Sequence, residues 1–239
     1  MPTRLPSLRR PPIGFAHRGA RAHAPENTLE AFELAVRLGA TGLESDVWLT
    51  RDGEAVLDHD GVVRRGLWKR RIAEIDRVDL PEHIPSLEAL YAAVGTDLDI
   101  SLDVKDTAAF DRTVEVARAT GGGALERLWL CHHRWEQVAA WRLACPEVRL
   151  VDSTFLGYMS DGPEQRAAAL ARSGIDAVNL HHSEWSGGLT ALFHRFEVLC
   201  FGWDAQHGRI LDDLLDCGVD AVYSDHVDRM VDALARAAG

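Results

Sequence analysis

The chain has 239 residues, is 46% hydrophobic and 26% charged, and carries a formal net charge of −11. That balance excludes a disordered chain, and the acidic excess removes the basic face that general binding to nucleic acid or to an anionic membrane requires. No apolar run approaches the roughly 20 residues that cross a bilayer, so no stable membrane anchor is expected.

Residues 1–12, MPTRLPSLRRPP, lead into no apolar signal core and read as a flexible N-terminal arm. Short β-branched or apolar runs then recur at 13–16, 42–48, 98–104, 127–131, 148–152, 176–180, 197–203 and 220–223. Between them lie stretches with helical spacing, at 28–38, 86–94, 107–119, 134–144, 163–172, 187–195, 208–216 and 227–237. Gly39, Gly174 and Gly218 stand where helices would end. Eight strands alternating with eight helices is the count of a (β/α)8 TIM barrel. The rival is a doubly wound open sheet. Its GxGxxG fingerprint is absent after the first strand, so the barrel is preferred. The expected organisation is one barrel domain over 13–239, interrupted after the AVLDHD strand (55–60) by a short insertion at about 61–83. This insertion is too short for a second core. It carries Arg64, Arg65, Lys69, Arg70 and Arg71, and reads either as a solvated basic loop or as a substrate-side element at the barrel mouth. The four cysteines form no CxxC pair and sit in apolar stretches, as expected of buried thiols in a reducing cytoplasm.

Active sites of such barrels lie at the C-terminal ends of the strands, so polar residues there matter most. The first strand ends in His17-Arg18, the second carries Glu44-Ser45-Asp46, the neighbouring strand ends in His59-Asp60, and the third carries Asp103-Val104-Lys105. Side chains alternate along a strand, which puts Glu44 with Asp46 and Asp103 with Lys105 on common faces. Three inward carboxylates repel one another unless a cation sits among them. An all-oxygen set suits a hard divalent ion, Mg2+ or Ca2+. His17 and His59 supply a general acid and base near neutral pH. Arg18 offers a planar fork for phosphate, and Lys105, one of two lysines in the chain, a point charge. Glu26 is a candidate partner for His17 or Arg18, and Asn27 or Thr28 for the first helix cap. Trp203 reads as a substrate platform or as core. The pairs His132-His133 and His181-His182 follow strands four and six near the mouth; they suggest zinc, but no Cys or carboxylate spacing completes a tetrahedral set, and a substrate-side role for one of the four is the alternative to a purely structural one.

The segment FAHRGARAHAPENTLEAFELAVRLGATGLESDVWLTRDGEAVLDHD (15–60) resembles the opening block of the glycerophosphodiester phosphodiesterases, with their HRG, PENT, E-x-D and HD in order. The likeness continues thinly through IPSLEAL (84–90), SLDVKD (101–106), FGWD (201–204) and GVDAVYSDHVD (218–228). The resemblance implies a TIM barrel that cleaves glycerophosphodiesters to sn-glycerol 3-phosphate and an alcohol with a divalent metal ion. It puts His17 and His59 on the acid–base pair, Glu44, Asp46 and Asp103 on metal ligands, and Arg18 and Lys105 on phosphate contacts. Asp103 stands where that family usually has Glu, and Cys131-His132-His133, Asp204 and His226-Val227 also depart from its pattern. The partner expected is a small-molecule glycerophosphodiester, bound by a monomer or homodimer. A lysophospholipid substrate and a non-catalytic phosphodiester-binding barrel are the alternatives. The latter would have lost a histidine or a metal carboxylate, and none is lost.

Overall fold

The computed structural model describes residues 4–65 and 68–238. The first three residues of the expected arm, residues 66 and 67 of the insertion and the final residue of the barrel domain lie outside the described residues.

Eight parallel strands close into a barrel: β1 (Ile13–His17), β2 (Gly42–Leu49), β6 (Asp99–Val104), β7 (Leu128–His132), β8 (Arg149–Ser153), β9 (Ala177–His181), β10 (Leu199–Trp203) and β11 (Ala221–Ser224). The pairing of β1 with both β11 and β2 makes the closure. A short strand β3 (Ala55–Leu57) folds back antiparallel on β2. Helices α1 (Leu29–Arg37), α2 (Leu87–Val94), α3 (Ala109–Thr120), α4 (Trp135–Ala144), α5 (Pro163–Arg172), α6 (Gly187–His194), α7 (Gly208–Asp216) and α8 (Val227–Ala238) follow the barrel strands in turn. The expected strands and helices are all present, shifted by at most two residues at their ends. The TIM barrel is thus the observed fold.

Local chemistry explains these boundaries. Thr28, Ser86 and Ser186 cap α1, α2 and α6 by accepting the N–H of Ala31, Ala89 and Leu189. Gly39, Gly174 and Gly218 follow the helix ends at φ of 96°, 66° and 83°, the left-handed conformation that costs glycine nothing. Apolar side chains divide by strand alternation. Ile13, Phe15, Trp129, Val151, Phe201 and Tyr223 fill the barrel interior, whereas Leu43, Leu102, Leu130, Leu150 and Leu180 pack between strands and helices. Gly42 makes room for this filling, because a Cβ there would stand 2.5 Å from the Phe15 ring.

Two regions differ from expectation. The insertion contains an antiparallel hairpin, β4 (Val62–Arg65) and β5 (Trp68–Arg71), followed by two single 3-10 turns. It does have a small core of its own, in which Val63, Ile72, Ile75, Leu80 and Ile84 bury together with Val56. These apolar positions lack a regular period, so sequence spacing does not reveal them. The arm expected to be flexible makes specific contacts from residue 4 onward. Arg4 pairs with Asp216, Leu5 N–H bonds Asp216 O, Ser7 Oγ and Arg9 N–H bond Asp220 Oδ1, and the Arg9 guanidinium pairs with Asp99. The physical reason is electrostatic: buried carboxylates at that end of the barrel need donors, and the arm supplies them.

Candidate active site

On β1, β8 and β9 the inward side chains change from apolar to polar toward the C-terminal end (Phe15 to His17, Val151 to Ser153, Ala177 to Asn179), whereas β10 stays apolar as far as Trp203. The result is a cavity of about 430 Å³ whose wall includes His17, Arg18, Glu44, Asp46, Asp103, Lys105, Asn179, Trp203 and Asp204.

The β1–β2–β6 corner holds most of the charged groups. The register pairs His17 with Glu44 and Asp46 with Asp103, so alternation alone brings the carboxylates together. Glu44 Oε2 accepts the Arg18 N–H at 3.0 Å and lies 3.8 Å from His17 Nε2. Lys105 Nζ stands 3.1 Å from Asp46 Oδ1 and 2.5 Å from Asp103 Oδ2. Arg18 Nε is 3.7 Å from Asp46 Oδ2, beyond hydrogen-bond length, and both atoms are buried without a hydrogen-bond partner. Arg18 adopts φ 52°, which turns its N–H to Glu44 and its guanidinium to Glu26 at 3.1 Å. Glu26 therefore serves Arg18 rather than His17. Asn27, at φ 56°, accepts the Ser45 hydroxyl at 2.7 Å and ties the loop to β2, leaving the helix cap to Thr28.

These surroundings move proton affinities. Burial, with help from Asp46 and Asp103, pushes Glu44 up to about 7 against the opposing pull of His17 and the Arg18 N–H. Asp46 is also raised, by burial first, with Lys105 opposing. Burial disfavours the charged His17 ring, but Glu44 and the bond to Asp225 outweigh it, and the net direction is up.

Asp225 joins the site although no local sequence signal points to it. Its Oδ1 stands 2.6 Å from His17 Nδ1, and it orients the ring so that Nε2 faces the carboxylates. The two residues are 208 positions apart, and only the pairing of β11 with β1 brings them together.

His59 is placed differently. Asp58 N–H donates to Asp46 O at 3.1 Å, so the backbone beside His59 runs next to the cluster. The ring turns outward, with Nδ1 on Asp60 at 2.9 Å, and does not line the cavity. His132 is buried against Trp141 and accepts the Arg134 N–H, a packing role. Trp203 lines the cavity wall, edge-to-face with Phe155.

The profile of the glycerophosphoryl diester phosphodiesterase family matches residues 17–229. The chain belongs to that family. The YhdW protein of Bacillus subtilis (strain 168) is 26% identical to it over 234 residues, 91% of this chain and 96% of YhdW. A glycerophosphodiester phosphodiesterase of Caldanaerobacter subterraneus subsp. tengcongensis is 37% identical over 107 residues, 38% of this chain and 44% of its own length. A phosphodiesterase of Oleispira antarctica, solved in complex with the product sn-glycerol-3-phosphate, shares the fold with a TM-score of 0.82 at 20% identity, over 94% of this chain and 97% of that one. As a glycerophosphodiester phosphodiesterase, the chain is a phosphoric diester hydrolase. Among the described residues no helix is long and apolar enough to cross a membrane.

Proposed function

We propose that the enzyme hydrolyses glycerophosphodiesters to sn-glycerol 3-phosphate and an alcohol, with a hard divalent ion, Mg2+ or Ca2+, held by Glu44, Asp46 and Asp103. The observation that carries this reading is the convergence of those carboxylates with His17, Arg18 and Lys105 in one cavity. The donor set fits such an ion: it is all oxygen, and Asp46 Oδ2 is buried without a hydrogen-bond partner. A bound ion would neutralise charge developing on the non-bridging phosphate oxygens.

The chain's own residues supply the rest. Arg18 and Lys105 contact the phosphate and balance its growing negative charge. His17 exchanges a proton through Nε2 while Asp225 holds Nδ1–H. His59 is the second proton carrier, assigned by its place beside the Asp46 backbone and by the family likeness. One imidazole takes a proton from the attacking oxygen as the new P–O bond forms; where that oxygen is the neighbouring glycerol hydroxyl and not a water, the cyclic phosphate so formed is opened by water in a second displacement that gives sn-glycerol 3-phosphate. The other protonates the leaving alkoxide as the old P–O bond breaks. Each transfer is worth on the order of 100- to 10,000-fold.

A second reading, cleavage of lysophospholipids, is favoured by the aromatic side of the mouth. Phe155 is 41% exposed and Tyr158 73%, edge-to-face with each other, a surface suited to an acyl chain. Free cysteines, three of them buried, accord with action in a reducing cytoplasm. The test is a panel of glycerophosphocholine, glycerophosphoethanolamine, glycerophosphoglycerol and lysophosphatidylcholine, each with Mg2+, Ca2+ or chelator. Turnover of the glycerophosphodiesters that EDTA abolishes and either ion restores is expected. Full activity in excess EDTA would remove the metal, and preference for the lysophospholipid would favour the second reading.

A further inference from the structure

Three groups of ligating side chains bring His, Cys or Asp atoms within 4.8 Å of one another, and none is the carboxylate corner. One of them, His194–Cys200–Asp220, has no spare capacity. Asp220 already accepts from Ser7, Arg9, Cys200 and His194, and burial raises the Cys200 thiol far from its ligating thiolate form. A second, His23–His226–Asp228, has its two rings 6.2 Å apart and two of its three members exposed.

The third, His181–His182–Asp204, is differently built. His181 Nε2 lies 3.3 Å from Asp204 Oδ2. Two ligands bonded at about 2.0–2.1 Å in tetrahedral array stand about 3.3–3.4 Å apart, so this pair already has the length of one edge of a zinc coordination tetrahedron. Outer partners hold both ligands. Ser183 Oγ lies 2.7 Å from His181 Nδ1 and can accept the ring proton there once an ion displaces it from Nε2. Nδ1 accepts the Ser183 N–H at 3.4 Å, so the proton of the neutral ring sits on Nε2, toward Asp204. Gln206 Nε2 donates to Asp204 Oδ1 at 3.1 Å, which leaves Oδ2 for the cluster. The His182 ring lies tilted at 42° to that of His181, with centroids 4.2 Å apart, and makes no side-chain hydrogen bond among the described residues.

We infer that His181, His182 and Asp204 form a binding site for a borderline divalent transition ion of the Zn2+ class, with the fourth position open. Two imidazoles and one carboxylate select such an ion over Mg2+ or Ca2+. The site is separate from the carboxylate corner and does not rest on the reaction proposed above. Asp204 and Trp203 line the cavity, so the ion would sit at the rim of the substrate pocket, on the wall across from Glu44 and Asp46.

The test uses the full chain without a histidine tag, saturated with Mg2+, and titrated with Co2+ as a spectroscopic stand-in for Zn2+. Expected is one Co2+ per chain with visible d–d absorption of low coordination number, displaced by Zn2+ and not by further Mg2+. His182→Gln should abolish that absorption and weaken Zn2+ binding at least about tenfold. Asp204→Asn should do the same, and His226→Gln should change neither. Circular dichroism melts establish that each variant is folded. An unchanged Co2+ spectrum in folded His182→Gln, loss of the spectrum in His226→Gln instead, or displacement of Co2+ by Mg2+ would each overturn the assignment. All three readouts are independent of turnover, so failure of the proposed hydrolysis leaves them intact.

Discussion

Both ends of the barrel bury carboxylates, and they treat them in opposite ways. At the N-terminal end Asp220 is 0% exposed. Its Oδ1 accepts from Ser7 Oγ and Arg9 N–H, and its Oδ2 from Cys200 N–H and His194 Nε2. Burial would raise its proton affinity, but these bonds overcome that and hold it below the usual carboxylate range. At the C-terminal end Glu44 is 8% exposed, and among the described residues the Arg18 N–H at 3.0 Å is its one backbone hydrogen bond. Burial there wins, and Glu44 rises to about 7. Similar burial thus gives opposite electrostatics according to the number of donors. A satisfied carboxylate stabilises the fold, whereas an under-satisfied one stays ready for a cation or a proton.

The largest expected effect breaks the C-terminal end. His17→Ala should lower turnover at least about a hundredfold while moving the urea midpoint little, because His17 sits at a strand end where function outweighs packing. A near-wild-type rate would remove His17 from the mechanism. His59→Ala is the companion measurement. A comparable loss would show that the ring, turned outward onto Asp60, swings in during the reaction, and an unchanged rate would leave His17 with another partner.

Asp220→Ala should do the reverse. It strands four donors and releases the arm, at a cost of about 3 kcal/mol in unfolding free energy, read from denaturant midpoints. Turnover per folded molecule should change less than about twofold, since the residue is at the end of the barrel away from the cavity. A stability equal to wild type would mean that the arm contributes nothing.

The pH dependence sharpens the same contrast. A carboxylate whose folded-state proton affinity is lowered contributes stability above its unfolded pKa and loses it as pH falls through the folded value. The stability gap between wild type and Asp220→Asn should therefore be full at neutral pH and shrink as acid protonates Asp220. A gap that widened on acidification would contradict the direction assigned to Asp220.

How much of this was legible beforehand follows from sequence distance. Strands, helices and their glycine ends carry local signals, and so does the E-x-D alternation that aims Glu44 and Asp46 inward. The Asp225–His17 contact, the arm's bonds to Asp220 and the approach of Asp204 to His181 carry none, because each joins residues that only barrel closure or strand neighbourhood brings together. His181-His182 was readable as a possible ligand pair, but its third member lies 23 residues onward at the end of the next strand. The outward turn of His59 is likewise a matter of rotamer, which spacing does not encode.

The smallest expected effect concerns Asp103, the least enclosed of the three corner carboxylates, with its side chain 32% exposed against 10% for Glu44 and 5% for Asp46. Lys105 Nζ bridges Asp103 and Asp46, so one cationic group already competes for these oxygens. Aspartate holds its carboxylate about 1.5 Å further back than glutamate would, one carbon–carbon bond along an extended chain. If Asp103 reaches the ion through a water, Asp103→Glu should be tolerated and should shift preference toward whichever ion accepts the direct ligand. Mg2+ needs a near-octahedral shell at 2.0–2.1 Å and keeps its waters, whereas Ca2+ accepts looser contacts at 2.3–2.6 Å. If Asp103 binds directly, the longer side chain overcrowds the site and both affinities fall. Asp103→Asn should weaken binding in either case, because a full charge is lost beside the ion, while Lys105 would then pair with Asp46 alone. Titrating Mg2+ and Ca2+ against wild type and the two variants separates these outcomes. Unchanged affinity in Asp103→Asn would reduce the corner to Glu44 and Asp46, with Asp103 left as the residue that positions Lys105 for phosphate.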